Sequence, residues 1–119
     1  MSTLTLLRQE PTGVVYADTA KPDFTVRFRN TQAQKTLNGV NTKNYLTEII
    51  YNDGNAVTIG GVAATDAISV RLRVSGTVES AARLTVLLHS LADQIQTWDS
   101  QKVMQGFPPT SAPVCPAAS

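Results

Sequence analysis

The chain has 119 residues, 42% of them hydrophobic and 16% charged, with a formal net charge of +1. That length holds one domain with one core, and near-neutrality excludes the global basic field that many nucleic-acid binders carry. The charged share is below the ~25% usual for soluble domains, and Ser, Thr, Asn and Gln make up the difference, which fits either a surface meeting other protein or a neutral polar monomer.

The N-terminal MSTLTLLRQEP lacks a basic segment followed by an apolar run and a small-residue cleavage site. No apolar stretch nears the ~20 residues of a membrane span. We therefore expect no membrane partner, and a cytosol-like compartment or something assembled in one. The single cysteine, Cys115, has no second Cys for an intramolecular disulfide or a metal cluster. It lies in the tail Pro108–Ser119, whose four prolines predict an extended, poorly ordered segment.

In chain order, Thr3-Leu4-Thr5-Leu6 alternates with period two and is followed by Glu10-Pro11-Thr12-Gly13, a type I turn pattern. With Val14-Val15-Tyr16 this makes a small N-terminal hairpin. Asp18 to Pro22 reads as a loop. The next segment, Phe24-Thr25-Val26-Arg27-Phe28-Arg29, is a regular strand with Phe24, Val26 and Phe28 on one face and Thr25, Arg27 and Arg29 on the other.

Asn38-Gly39 is a strong short hairpin signal, and Tyr45 to Tyr51 is the strand beyond it. A two-residue turn there makes cross-strand partners sum to 77. Arg29 then faces Glu48, Phe28 faces Ile49 and Val26 faces Tyr51, with Leu46 and Ile50 left on the arginine face. Asn52-Asp53-Gly54-Asn55 reads as a turn by composition, Ala56 to Ile59 as a short strand, and Gly60 to Asp66 as a mobile loop of small residues. Ile68 to Val74 repeats the earlier alternation, with Ser69, Arg71 and Arg73 opposite four aliphatic residues, and Ser75-Gly76 ends the strand.

Thr77 is the expected N-cap of a helix spanning roughly Val78 to Gln96, with Glu79 in its first turn. Leu84, Leu87, Leu88, Leu91 and Ile95 form an apolar stripe at helical spacing. A second short helix is predicted from Asp99 to Gln105, ended by Gly106 and the prolines beyond it. The chain is thus read as α+β, with strands at about 3–75, helices at about 77–106 and a tail at 107–119, all in one domain.

Catalysis needs convergent groups, and none is spaced for it. The single histidine, His89, falls on the polar side of the helix, the carboxylates are dispersed, and no Gly-rich phosphate loop joins a strand to a helix. No enzyme activity, metal, cofactor or small-molecule substrate is expected. The constructive pattern is Arg27 and Arg29 on one strand and Arg71 and Arg73 on another, opposite the aliphatic positions, with Thr25 and Ser69 adding hydroxyls. Guanidinium forks suit phosphates and stack on bases, and such binding is steeply salt-dependent. The same alternation also describes a sheet face that simply meets water, with Arg29 tied to Glu48.

The order of elements resembles the coat proteins of single-stranded RNA bacteriophages, the leviviruses. The resembling residues run from Phe24 through Gln32, from Asn44 to Tyr51, and over the strand-to-helix junction Ser69 to Ala81, within a likeness covering about Leu4 to Pro109. The resemblance implies an interlocked homodimer whose sheets join edge to edge, with each subunit's helices across the other's sheet. Leu84, Leu87, Leu88, Leu91 and Ile95 would then form the dimer interface. It further implies an icosahedral shell around the genome, assembled in the bacterial host cytoplasm as part of a virion, and an inner sheet face that binds single-stranded RNA. Carried onto this chain, that face is Thr25, Arg27, Arg29, Ser69, Arg71 and Arg73. In many members it also binds a hairpin that represses translation; here Glu48, with Leu46 and Ile50 beside it, departs from the family's basic or neutral pattern. Gly60 to Asp66 would match the family's loop at shell symmetry axes. The competing reading is a small dimeric nucleic-acid-binding protein that forms no shell.

Overall fold

The structure is a computed structural model that describes residues 3–108, 112, 113, 115 and 116. They fall into two compact units, a β unit ending at Thr77 and a helical unit starting at Val78. The β unit is one antiparallel meander in which every strand pairs with its neighbour in sequence: β1 (Thr5–Glu10), β2 (Gly13–Asp18), β3 (Lys21–Leu37), β4 (Val40–Ile59) and β5 (Val62–Thr77). Such a meander needs only tight turns between strands, and the sequence supplies them.

The N-terminal hairpin forms as expected, with Glu10 paired to Gly13 and a register shift between Leu6 and Arg8 that bulges at Leu7. Gly13 is required by close approach: a Cβ there would stand 1.8 Å from the Phe28 carbonyl oxygen of β3. The expected loop at Asp18 to Pro22 shrinks to a tight turn, closed by the Ala20 N–H donating to Asp18 Oδ1 at 2.9 Å, and β3 begins at Lys21. Asn38 and Gly39 take φ of +51° and +80°, the left-handed pair of a type I′ turn. The β3–β4 register that follows is the one the sequence predicts: Arg29 with Glu48, Phe28 with Ile49, Val26 with Tyr51.

Four expectations fail in β4 and β5. Asn52 to Asn55 is not a turn, and Ala56 to Ile59 is not a separate strand; β4 runs unbroken through both. The reason is pairing: Asp53 lies between Phe24 of β3 and Ile68 of β5, and these ladders override turn composition. The Lys21 ammonium secures the place by bonding Asp53 Oδ1 and the Gly54 carbonyl. The predicted loop Gly60 to Asp66 is instead a two-glycine turn, with φ of +58° and +80° at Gly60 and Gly61, and β5 starts at Val62. Likewise β5 continues past Ser75-Gly76 to Thr77, which is buried.

Thr77 is therefore the end of the β unit's last strand and not a helix cap. A 3-10 turn, Val78–Ser80, precedes helix α1 (Ala81–Ile95), and Ser80 stands at the N-cap with no side-chain hydrogen bond. Helix α2 (Ser100–Met104) follows the prediction closely. Asp99 Oδ1 accepts from the Gln101 and Lys102 N–H groups at 3.1 and 3.2 Å, and Gly106 at φ +89° ends the turn. The tail prediction falls partly outside the described residues, but Pro116 is held to α1, its carbonyl accepting from Arg83 Nη2 at 3.4 Å. Cys115 is exposed with a free thiol. Among the described residues, no helix is long and apolar enough to cross a membrane.

Candidate nucleic-acid interface

Side chains alternate across a strand, so the registers assign every strand residue to one of two faces. Cross-strand partners share a face, and two rows cross the sheet on the arginine side. One runs Arg8, Val15, Arg27, Ile50, Arg71; the next runs Glu10, Gly13, Arg29, Glu48, Arg73. Thr25 and Ser69 occupy a third row with Ala17 and Asn52. All six residues predicted for the site thus lie on one face, on β3 and β5, with β4 between them.

Five arginines meet two glutamates on this face, leaving three positive charges in surplus. Arg27 Nε lies 3.0 Å from Glu10 Oε1, off the hydrogen-bond direction, so the contact is ionic and Nε is buried without a hydrogen bond. Arg8 approaches the same carboxylate at 3.9 Å. Arg71 Nη1 lies 3.5 Å from Glu48 Oε2. Arg29 was expected to be tied to Glu48; the two are opposite in register, but the ion pair goes to Arg71 on the other neighbouring strand. Among the described residues, no carboxylate stands within ion-pair distance of Arg29 or Arg73. Sequence spacing missed the contribution of β1: Arg8 and Glu10 join the face only because the first hairpin pairs with β3, a long-range event without a local signal.

Ile50 and Leu46, which looked misplaced among arginines, have a structural reason. Ile50 is 3% exposed between Arg27 and Arg71, and Val15 is 2% exposed beside Arg27. Arginine stems are apolar and lie along such side chains while the guanidinium reaches water. Beyond Arg73 the same face dips into a shallow hollow of about 440 Å³ lined by Thr31, Gln32, Ala33, Asn44, Leu46, Arg73 and Ser75. Asn44 Nδ2 donates to Ser75 Oγ there at 3.1 Å.

The opposite face carries Tyr16, Val26, Tyr51 and Val70 in one row and Val14, Phe28, Ile49 and Leu72 in the next. Two edge-to-face ring pairs, Tyr16 with Phe28 and Phe24 with Tyr51, stiffen it. Val26 is buried there at 2% exposed, but Phe28 is 38% exposed, Tyr51 47%, Ile68 38% and Val70 62%. In the helical unit the predicted stripe is equally open. Leu84, Leu88 and Leu91 are half-buried, Leu87 and Ile95 are exposed, and no residue of α1 is buried. His89 is exposed. Among the described residues, no three His, Cys, Asp or Glu side chains gather as a metal site.

No protein-family model and no curated protein sequence matches the chain. Solved structures do. A chain of the virus-like particle of bacteriophage PQ-465 superposes with a TM-score of 0.82 at 23% identity, over 99% of this chain and 98% of that one. A chain of the virus-like particle of Beihai levi-like virus 32 gives 0.63 at 14% identity, over 92% and 90%. One from the virus-like particle of bacteriophage ESE001 gives 0.59 at 15%, over 97% and 98%. A five-stranded antiparallel sheet followed by a long and a short helix, matched end to end, is the coat-protein fold of these phage particles, and it is the fold of this chain.

Proposed function

We propose that this chain is a structural capsid subunit, a single coat-protein domain that dimerises, assembles into an icosahedral shell and holds single-stranded RNA on its arginine face. The observation that carries the reading is the two-sided sheet. One face has a surplus of three positive charges; the other has Phe28, Tyr51, Ile68 and Val70 in the open. Large contiguous apolar patches on soluble chains mark interaction sites. The partner we propose is a second copy, because the same chain carries an apolar stripe in Leu84, Leu87, Leu88, Leu91 and Ile95 of which no residue is buried. The likeness to chains of phage virus-like particles supports that choice.

Arg27, Arg29, Arg71 and Arg73 supply phosphate contacts, with Thr25 and Ser69 as hydroxyl donors, and the hollow beside Arg73 has room for a base. Nothing in this chemistry is catalytic. Packaging by charge needs no fixed RNA sequence, and repression through one RNA hairpin is a narrower version of the same reading. The particle forms in the bacterial cytoplasm and the subunit ends in the virion.

Sedimentation and electron microscopy of the purified protein test the proposal. Closed particles containing RNA are expected. A monomer under every assembly condition overturns it, and RNA-bound dimers without shells favour the small dimeric nucleic-acid-binding protein instead.

A further inference from the structure

Glu48 occupies an unusual position for a carboxylate on a surface meant for RNA. Its side chain is 13% exposed, whereas that of its partner Arg71 is 57% exposed. Directly opposite it stand Arg29 on β3 and Arg73 on β5, and directly opposed residues bring their Cβ atoms to about 5 Å. One largely enclosed carboxylate therefore sits between three arginines and forms its ion pair with Arg71 alone. Along the two charged rows it is the single acidic residue on β2 to β5, since Glu10 lies on β1.

We infer that Glu48 is an internal competitor for RNA phosphate, holding Arg71 in an ion pair that RNA must exchange, and so sets how weakly one subunit grips RNA. The inference rests on the RNA-binding reading above. Its physical basis is that a phosphate oxygen and a carboxylate oxygen seek the same guanidinium N–H groups. Arg71 offers a fork already half engaged; Arg29 and Arg73 offer theirs without a carboxylate within reach. Glu48 also relieves the repulsion of like charges on neighbouring strands, so the cluster persists without RNA. Weak binding by each subunit and firm retention by many is the expected behaviour of a multivalent surface.

The test is titration of the native protein and of Glu48→Gln with a 20-nucleotide polyuridine over a range of salt concentrations. Glutamine keeps the shape and removes the charge. The variant should bind about three- to tenfold tighter at low salt. Its log affinity should fall more steeply with log salt by about 0.7, the increment of one more phosphate contact on a single strand. Equal or weaker binding, or a gain without the steeper slope, overturns the inference. Should the variant fail to fold, two arginine variants decide the matter instead. Arg73→Gln should then lose several-fold more affinity than Arg71→Gln, although both arginines are exposed, and equal or reversed losses overturn it. If the native protein shows no salt-dependent binding at all, the RNA-binding reading itself fails, a result distinct from either.

Discussion

The two faces of the sheet are built from the same alternation and solve opposite problems. On the arginine side, apolar Val15 and Ile50 are nearly fully buried, although the neighbouring side chains are charged. On the aliphatic side Val26 is buried as well, but Phe28 and Val70 are exposed, although their neighbours are apolar. On the arginine face Val15 and Ile50 are shielded in the chain itself, a place that the apolar stems of neighbouring arginines suit, and two glutamates offset part of the charge. The apolar face instead leaves Phe28, Tyr51, Ile68 and Val70 in the open. Burial in one chain follows the reach of neighbouring side chains, and hydrophobicity alone misjudges which face is finished.

The largest expected effect comes from breaking the apolar side. Leu88→Asp together with Leu91→Asp places two charges in the α1 stripe, and desolvating them under a partner is prohibitive. Sedimentation should show no species larger than the monomer; unchanged assembly would mean that the stripe covers nothing in a partner. A smaller effect strikes both faces at their joint. Gly13→Ala forces a Cβ into the Phe28 carbonyl and must part β2 from β3, costing about 3 kcal/mol, at the upper end for overpacking. Denaturant unfolding measures it, and a change below about 0.5 kcal/mol contradicts the observed approach.

The smallest effect is at the end of the sheet, where neither face is at stake. Hydrogen bonding to Asp53 raises the Lys21 pKa above its ordinary 10.5. A raised folded-state value means the stabilisation is full below pH 10.5 and is lost as pH rises through the higher value. Native protein and Lys21→Met should therefore differ by a constant small amount between pH 7 and 9 and converge above pH 10.5. A difference that shrinks already at pH 8 assigns the effect to another group.

How far these faces were legible in the sequence varies along the chain. The β3–β4 register was readable because Asn38-Gly39 fixes the turn and because period-two residues match only when partners sum to 77. The leucine stripe and the Asp99 cap were readable because helix signals are local. Asn52 to Asn55 misled because turn composition is a local preference, and here pairing on both edges of β4 outweighs it. The glycine pair at 60–61 marked a bend, but its small neighbours gave no sign that they continue as strand. For the site, the four arginines and their common face were legible. The partners were not: Glu10 of β1 reaches across to Arg27 of β3, and Glu48 pairs with Arg71 and not with Arg29 although both strands flank β4, choices that no spacing encodes.

The most direct test of a sheet with one face for protein and one for RNA replaces Arg27, Arg29, Arg71 and Arg73 together with glutamine. Nucleic-acid content and particle formation are then measured on the same preparation. The expected result is a folded, self-associating protein that has lost its RNA. An undiminished RNA load on the variant would contradict it.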